Sequence, residues 1–119
     1  VLNEGKLPFI TDVKEKNKRQ IRNFELSQNY PNPFNPNTTI SYSLPEKSSV
    51  TIEIFNILGQ RVRTLVEQNK DAGVYSVIWN GKNQSGNQVS SGIYLYVMQA
   101  VSLENRKEFV RIKKMILIR

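Results

Sequence analysis

The stretch from Tyr30 to Pro36, Tyr-Pro-Asn-Pro-Phe-Asn-Pro, constrains the fold more than any other part of the chain. Its three prolines fix φ near about −65° and remove three backbone N–H donors. Each proline also biases the residue before it toward extended geometry, so neither a helix nor a central strand can run through. We therefore predict an ordered, irregular proline segment whose two aromatic rings, Tyr30 and Phe34, pack on the edge of the fold.

The composition excludes several kinds of functional site. The 119 residues contain no cysteine, so disulfides and thiolate metal sites are impossible. They contain no histidine, which removes the commonest general base and the commonest metal ligand. Because the ten carboxylates are scattered among other charged residues, we expect a protein that is not an enzyme and has no cofactor, metal site or small-molecule substrate.

The net charge of +7 lies mainly at the two ends of the chain. Residues 1–23 carry six basic and three acidic residues. Residues 24–105 carry five basic and six acidic residues, and residues 106–119 carry six basic residues and one acidic residue. The basic run from Lys14 to Arg19 could belong to a nucleic-acid arm, but its interleaved acid and its lack of aromatics favour a solvated linker. We predict a linker over 1–23, one domain over 24–119, and no nucleic-acid partner.

From residue 24 onward, apolar residues recur with a period of two, which is typical of strands. The alternation is cleanest where Val50, Ile52 and Ile54 alternate with polar residues. Turn signals separate the predicted strands, which cover residues 24–27, 39–44, 50–54, 61–67, 74–79, 93–100 and 107–119. About seven short strands without a helical period predict an all-β fold, an antiparallel β-sandwich.

Four local features refine this prediction. The alternation slips at Leu65-Val66, which indicates a β-bulge or a change of strand partner. Both faces of residues 93–100 are bulky, as expected for a central strand. In the final strand, Lys114 interrupts the alternation ahead of an apolar run. Trp79 fits the large buried aromatic of a sandwich core.

Several residue runs, in order and with natural spacing between Phe24 and Arg119, carry a family resemblance. They are Leu26–Pro36, Thr38–Ile40, Ile57–Gln60, Asp71–Gly73, Trp79–Asn83 with Gly86, Ser90–Tyr94, and Arg111–Leu117. Together they resemble the type A C-terminal sorting domain of the type IX secretion system, also called the Por secretion system C-terminal domain. That domain is an Ig-like sandwich, similar to the Ig-like domain of the flagellar hook-capping protein.

The resemblance implies a secretion signal for a cargo domain upstream in the same chain. The cargo would cross the inner membrane on a signal peptide, and the domain would then be recognised in the periplasm. The implied partners are the outer-membrane translocon, shuttle and sortase-like components, and the product would be secreted or held at the outer membrane surface. Asn80 and Asn83 stand where the family often has Asp, which argues against a calcium site in this loop.

The candidate functional residues lie at three places in the sequence. The proline segment contributes Tyr30, Pro31, Asn32, Pro33 and Phe34, and the candidate sorting signal is Gly92, Tyr94, Lys113, Lys114, Met115, Ile116 and Leu117. A cationic, apolar final strand can be recognised by edge pairing or through exposed side chains. The alternative is an ordinary edge strand protected by lysines.

Two other functions remain open on sequence grounds. The first is a surface- or carbohydrate-binding module in which Trp79, Tyr94 and Tyr96 stack on sugars, although their strand-period spacing favours packing in the core or on a sheet face. The second is a structural spacer like the hook-capping domain. The position of the domain in the parent gene distinguishes these two functions from a sorting role, because a sorting domain must end at the stop codon.

Overall fold

A computed structural model describes residues 21–119. The predicted linker therefore lies almost wholly outside the described residues, as does the basic run from Lys14 to Arg19. The strands are β1 Glu25–Leu26, β2 Thr38–Leu44, β3 Ser48–Asn56, β4 Arg61–Lys70, β5 Gly73–Trp79, β6 Gly92–Ser102 and β7 Glu108–Leu117. Residues 21–119 contain no helix, and hence none that could cross a membrane.

The strands form two antiparallel sheets, which confirms the all-β, seven-stranded, Ig-like sandwich. One sheet has the order β1-β2-β5 and the other the order β4-β3-β6-β7. β6 lies between β3 and β7, as its two bulky faces predicted. The edge strands are therefore β1 and β5 in the first sheet and β4 and β7 in the second, and these edges are where a sheet can pair with a partner.

The core lies between the sheets and is built by the predicted alternation. In β3, Val50, Ile52 and Ile54 are each at most 1% exposed. The bulge is confirmed: Ile52 pairs with Val66 and Glu53 with Thr64, so the intervening residue of β4 has no partner in β3. A bulge is needed there because one extra residue would otherwise turn the following side chains to the wrong face.

The break in the apolar alternation at Lys114 does not interrupt the final strand, which the sequence predicted to run on toward the terminus. β7 runs without a break through Lys114 to Leu117, and its register with β6 does not shift. Met115 and Leu117 point into the core, whereas Val110 and Ile112 point outward and are 52% and 57% exposed. The two lysines are simply neighbours on opposite faces of a regular strand.

Candidate functional site at the proline segment and the final strand

The proline segment lies directly against the edge of β7. The Phe34 N–H donates to the Ile116 carbonyl at 3.0 Å, and the Ile118 N–H donates to the Phe34 carbonyl at 2.9 Å. Phe34 thereby forms a parallel bridge with Leu117. Residues more than 80 positions apart in the sequence are thus joined by backbone hydrogen bonds.

Two side chains extend this contact along β7. The Ile116 N–H donates to Asn32 Oδ1 at 2.9 Å, and Gln28 Nε2 donates to the Lys114 carbonyl at 2.7 Å. The backbone groups of β7 that point away from β6, toward the edge of the sheet, therefore all have hydrogen-bond partners from the Lys114 carbonyl to the Ile118 N–H. The chain itself covers this part of the sheet edge.

Phe34 anchors the proline segment in the core. Its side chain is 2% exposed, and its ring centroid lies 5.7 Å from that of the fully buried Trp79. Trp79 also meets Tyr94 edge-on at 5.3 Å and donates its Nε1–H to the Lys82 carbonyl at 2.9 Å. This aromatic cluster packs the segment onto the end of the sandwich.

The prediction that Tyr30 packs on the fold is wrong, because its side chain is 80% exposed. Its backbone is well held, since the Tyr30 N–H and carbonyl both bond to Thr39 at 2.9 Å. Thr39 lies on the outer face of β2, between the buried Thr38 and Ile40. Residues paired across an antiparallel bridge share a face, so the Tyr30 ring is directed to solvent as well.

A buried polar network fixes the chain before the segment. The Tyr96 hydroxyl donates to the Ser27 carbonyl at 2.7 Å and accepts the Asn29 N–H at 2.8 Å. Asn29, 2% exposed, donates its Nδ2–H to Thr38 Oγ1 at 2.9 Å, and Thr38 in turn donates to the Pro31 carbonyl at 2.8 Å. Burial raises the pKa of Tyr96 to about 12. Strand alternation favoured packing of Tyr96 in the core or on a sheet face but gave no sign of these bonds.

Gly92 and Tyr94 begin β6 beside the end of β7. Gly92 has a φ of +155°, which L side chains rarely adopt, and it pairs with Leu117. Tyr94 is buried, pairs with the buried Met115, and donates its hydroxyl to the Ser90 carbonyl at 2.6 Å. Both residues pair with the end of β7, and the Tyr94 side chain points into the core rather than to solvent.

The two candidate lysines point in different directions, and neither is buried. Lys113 is half-buried on the inward face, opposite Tyr96. Lys114 is exposed on the outward face, opposite Leu95. Of the sorting-signal candidates, Lys114 is therefore the most accessible to a partner, while Met115 and Leu117 are core residues at 0% and 1% exposure.

Arg119 is a structural residue that the sequence analysis missed. Its Nε–H donates to the Val89 carbonyl at 2.6 Å, its Nη2 donates to the Gly81 carbonyl, and its backbone N–H donates to Ser91 Oγ at 2.9 Å. Gly81 has a φ of +75°, and a Cβ there would lie 2.8 Å from Arg119 Nη2. The guanidinium thus ties the loop before β6 to the end of β7.

The loop after Trp79 uses its asparagines to form turns. Asn83 Oδ1 accepts the N–H groups of Ser85 and Asn87 at 3.1 and 2.9 Å. Asn80 Oδ1 accepts the Lys82 N–H at 3.2 Å. Nowhere in residues 21–119 do three or more Asp, Glu, His or Cys side chains form a group that could hold a metal ion. Within that range the loop is accounted for as local structure.

The proposed sugar-stacking platform is not present. Trp79 and Tyr96 are 0% exposed and Tyr94 is 5% exposed, so no ring face of the three is open to a ligand. Their strand-period spacing reflects core packing, which is one of the two kinds of packing that the sequence favoured. A carbohydrate-binding module would have to use other residues.

Comparison with known proteins places the chain in a family. The model of the FlgD Ig-like domain matches residues 34–104, which is more than half of the chain. The chain therefore belongs to the FlgD Ig-like domain family. No curated protein sequence matches it.

Solved structures that resemble the domain include the following three. Dimeric latent PorU from Porphyromonas gingivalis is 19% identical with a TM-score of 0.64, over 83% of this chain and 10% of that one. FlgD from P. aeruginosa is 26% identical with a TM-score of 0.54, over 67% and 61% of the two chains. PorZ, a surface component of the type IX secretion system of P. gingivalis, is 24% identical with a TM-score of 0.44, over 81% and 11%. The chain thus spans about a tenth of the Por proteins' length.

Proposed function

We propose that this domain is a C-terminal sorting domain that directs an attached cargo protein through the outer membrane by the type IX secretion machinery. In this proposal the domain has no catalytic activity. It is a folded signal that the export machinery recognises in the periplasm. The cargo lies upstream in the same chain, and a surface sortase-like protease removes the domain after passage. The partners are the translocon, shuttle and sortase-like components of that system.

The observation that carries the proposal is that several of the separated runs of the resemblance meet in space. The proline segment bonds to the last strand through Phe34 and Asn32, and its aromatic anchor packs on Trp79. The end of the chain is bonded in turn to the loop before β6 through Arg119. These runs together build one end of the sandwich.

A structural spacer is the second candidate, because the family match and the FlgD likeness fit it equally well. The two candidates differ in what happens to a reporter. A reporter with an inner-membrane signal peptide, joined to this chain and made in a bacterium with the type IX system, should reach the cell surface or the medium. The same reporter without the chain should stay in the periplasm, and a spacer would leave both there.

Substituting the two lysines of β7 tests whether the export machinery recognises the final strand itself. Lys113→Gln with Lys114→Gln removes two charges from side chains that are not buried, so the stability should change by less than about 0.5 kcal/mol. We expect a normally folded variant whose reporter accumulates in the periplasm. Normal folding with normal export would contradict a role for these charges. Deleting Met115–Arg119 is less informative, because Met115 and Leu117 belong to the core.

A further inference from the structure

The edge of β7 has two parts, of which the chain covers one. In a strand, the N–H and C=O of one residue point to the same side, and the side alternates along the strand. The Lys114 carbonyl and both backbone groups of Ile116 are directed away from β6, since they bond to Gln28, Asn32 and Phe34. By the same alternation, the backbone N–H and C=O groups of Val110 and Ile112 also point to the free edge.

The part of this edge from Val110 to the Lys114 N–H is open within the described residues. No hydrogen bond inside residues 21–119 involves the backbone of Val110 or Ile112 on the free side, or the N–H of Lys114. The side chains of these three residues are exposed, on the outer face of the sheet. Five adjacent backbone groups and two exposed branched side chains together form a template for an added strand.

The open edge is also strongly basic. Residues 106–119 hold six basic residues and one acidic residue. No ion pair within residues 21–119 involves Arg111, Lys113 or Lys114. The Arg111 guanidinium lies over the Phe109 ring, with its Cζ 5.0 Å from the ring centroid, so this positive charge lies beside the edge. An added strand would therefore meet cationic side chains on both faces of β7.

We propose that the open edge of β7, from Val110 to Lys114, binds an extended segment of a partner protein in which apolar residues alternate with carboxylates. The apolar residues lie beside Val110 and Ile112 on the outer face. The carboxylates lie beside Arg111 and Lys113 on the other face, where opposite charges stabilise cross-strand pairs. This inference rests on the proposed function, with the partner a component of the export machinery.

The openness of the edge is tested without any partner, by amide hydrogen exchange on the 119-residue chain. The amides of Val110, Ile112 and Lys114 should exchange quickly, because they have no acceptor within the described residues. The amides of Ile116 and Ile118 should exchange slowly, because Asn32 and Phe34 hold them. Slow exchange at Val110 and Ile112 in the chain alone would overturn the proposal.

The edge itself is tested by a proline substitution. Ile112→Pro removes one N–H from the free edge and leaves the hydrogen bonds to β6 in place. Ile78→Pro is the matched control on the other sheet. Ile78 is 61% exposed, lies in the edge strand β5, and pairs with Thr39, whose backbone groups point away from β5 toward Tyr30. The Ile78 N–H is therefore also directed to a free edge.

The readout is export of a reporter joined to each variant, with thermal unfolding to confirm folding. Losing one backbone hydrogen bond weakens an association by up to about tenfold, so export with Ile112→Pro should fall by that order. Export with Ile78→Pro should match the original chain. If Ile112→Pro does not fold, Val110→Pro replaces it, because its N–H faces the same edge.

The possible results separate this proposal from the proposed function. If the unaltered chain fails to export the reporter, the proposed function is wrong and this inference fails with it. If the unaltered chain exports and folded Ile112→Pro exports equally well, only the β7 edge is refuted. Equal loss in both proline variants would also refute it, because the effect would not be specific to β7. A concentration-dependent dimer that Ile112→Pro abolishes would assign the edge to a second copy instead.

Discussion

The packing of Phe34 gives the sharpest stability prediction. The side chain is 2% exposed and packs on Trp79, with a ring-centroid distance of 5.7 Å. Phe34→Ala removes this buried ring and leaves a cavity at the end of the sandwich. Buried Phe→Ala substitutions cost about 3–5 kcal/mol, which includes the cavity that the surroundings cannot fill. The backbone bonds of residue 34 to Ile116 and Ile118 do not need the ring, so the loss is one of packing.

The assay is equilibrium unfolding in urea, followed by Trp79 fluorescence, on the 119-residue chain. For a domain of this size, each kcal/mol lowers the melting temperature by about 4–8 °C, so a thermal scan gives an independent check. Tyr30→Ala is the control from the same segment, because its ring is 80% exposed. It should change the free energy of unfolding by no more than about 0.5 kcal/mol. A Phe34→Ala cost as small as that of Tyr30→Ala would refute the anchoring of the segment.

Three further predictions follow from the network, the tyrosines and the domain boundary. Tyr96→Phe leaves the Asn29 N–H and the Ser27 carbonyl without their buried partner and should cost about 1–3 kcal/mol in urea unfolding; no change would contradict the network. Burial raises the pKa of Tyr42 and Tyr96 from 10.0 to about 12, so their contribution to stability is complete below pH 10 and is lost as the pH rises toward 12. Tyrosinate absorbance and unfolding measured together should show this loss, and a constant free energy over that range would contradict it. Limited proteolysis should cut first within residues 1–23, whereas early cuts in residues 39–54 would place the boundary elsewhere.

The strands and most of the core could be predicted because they follow a local rule. Alternation in β3 marks its buried face directly, and the slip at Leu65-Val66 marks the bulge in β4. Turn residues fix where strands end, as at Gly59, whose φ of +84° suits a tight turn. These features depend on neighbours in the sequence, so a single sequence is enough to find them.

The geometry of the candidate site could not be predicted in this way. The bond between Phe34 and Ile116 joins backbone groups, which are the same in every residue and leave no side-chain pattern. The exposure of Tyr30 follows from its pairing with Thr39, and that pairing is a fact of register rather than composition. In β7, both faces carry apolar residues, so alternation alone could not tell that Met115 points inward and Ile112 outward.

The most direct test of the proposed sorting role is the location of one reporter in two strains. The reporter carries an inner-membrane signal peptide and is joined to this chain, and the strains differ only in the outer-membrane translocon of the type IX system. The fraction of reporter outside the cell is measured in each, with a periplasmic protein as a control for lysis. We expect export in the intact strain and periplasmic retention in the strain that lacks the translocon. Equal distribution in the two strains would contradict the proposed function.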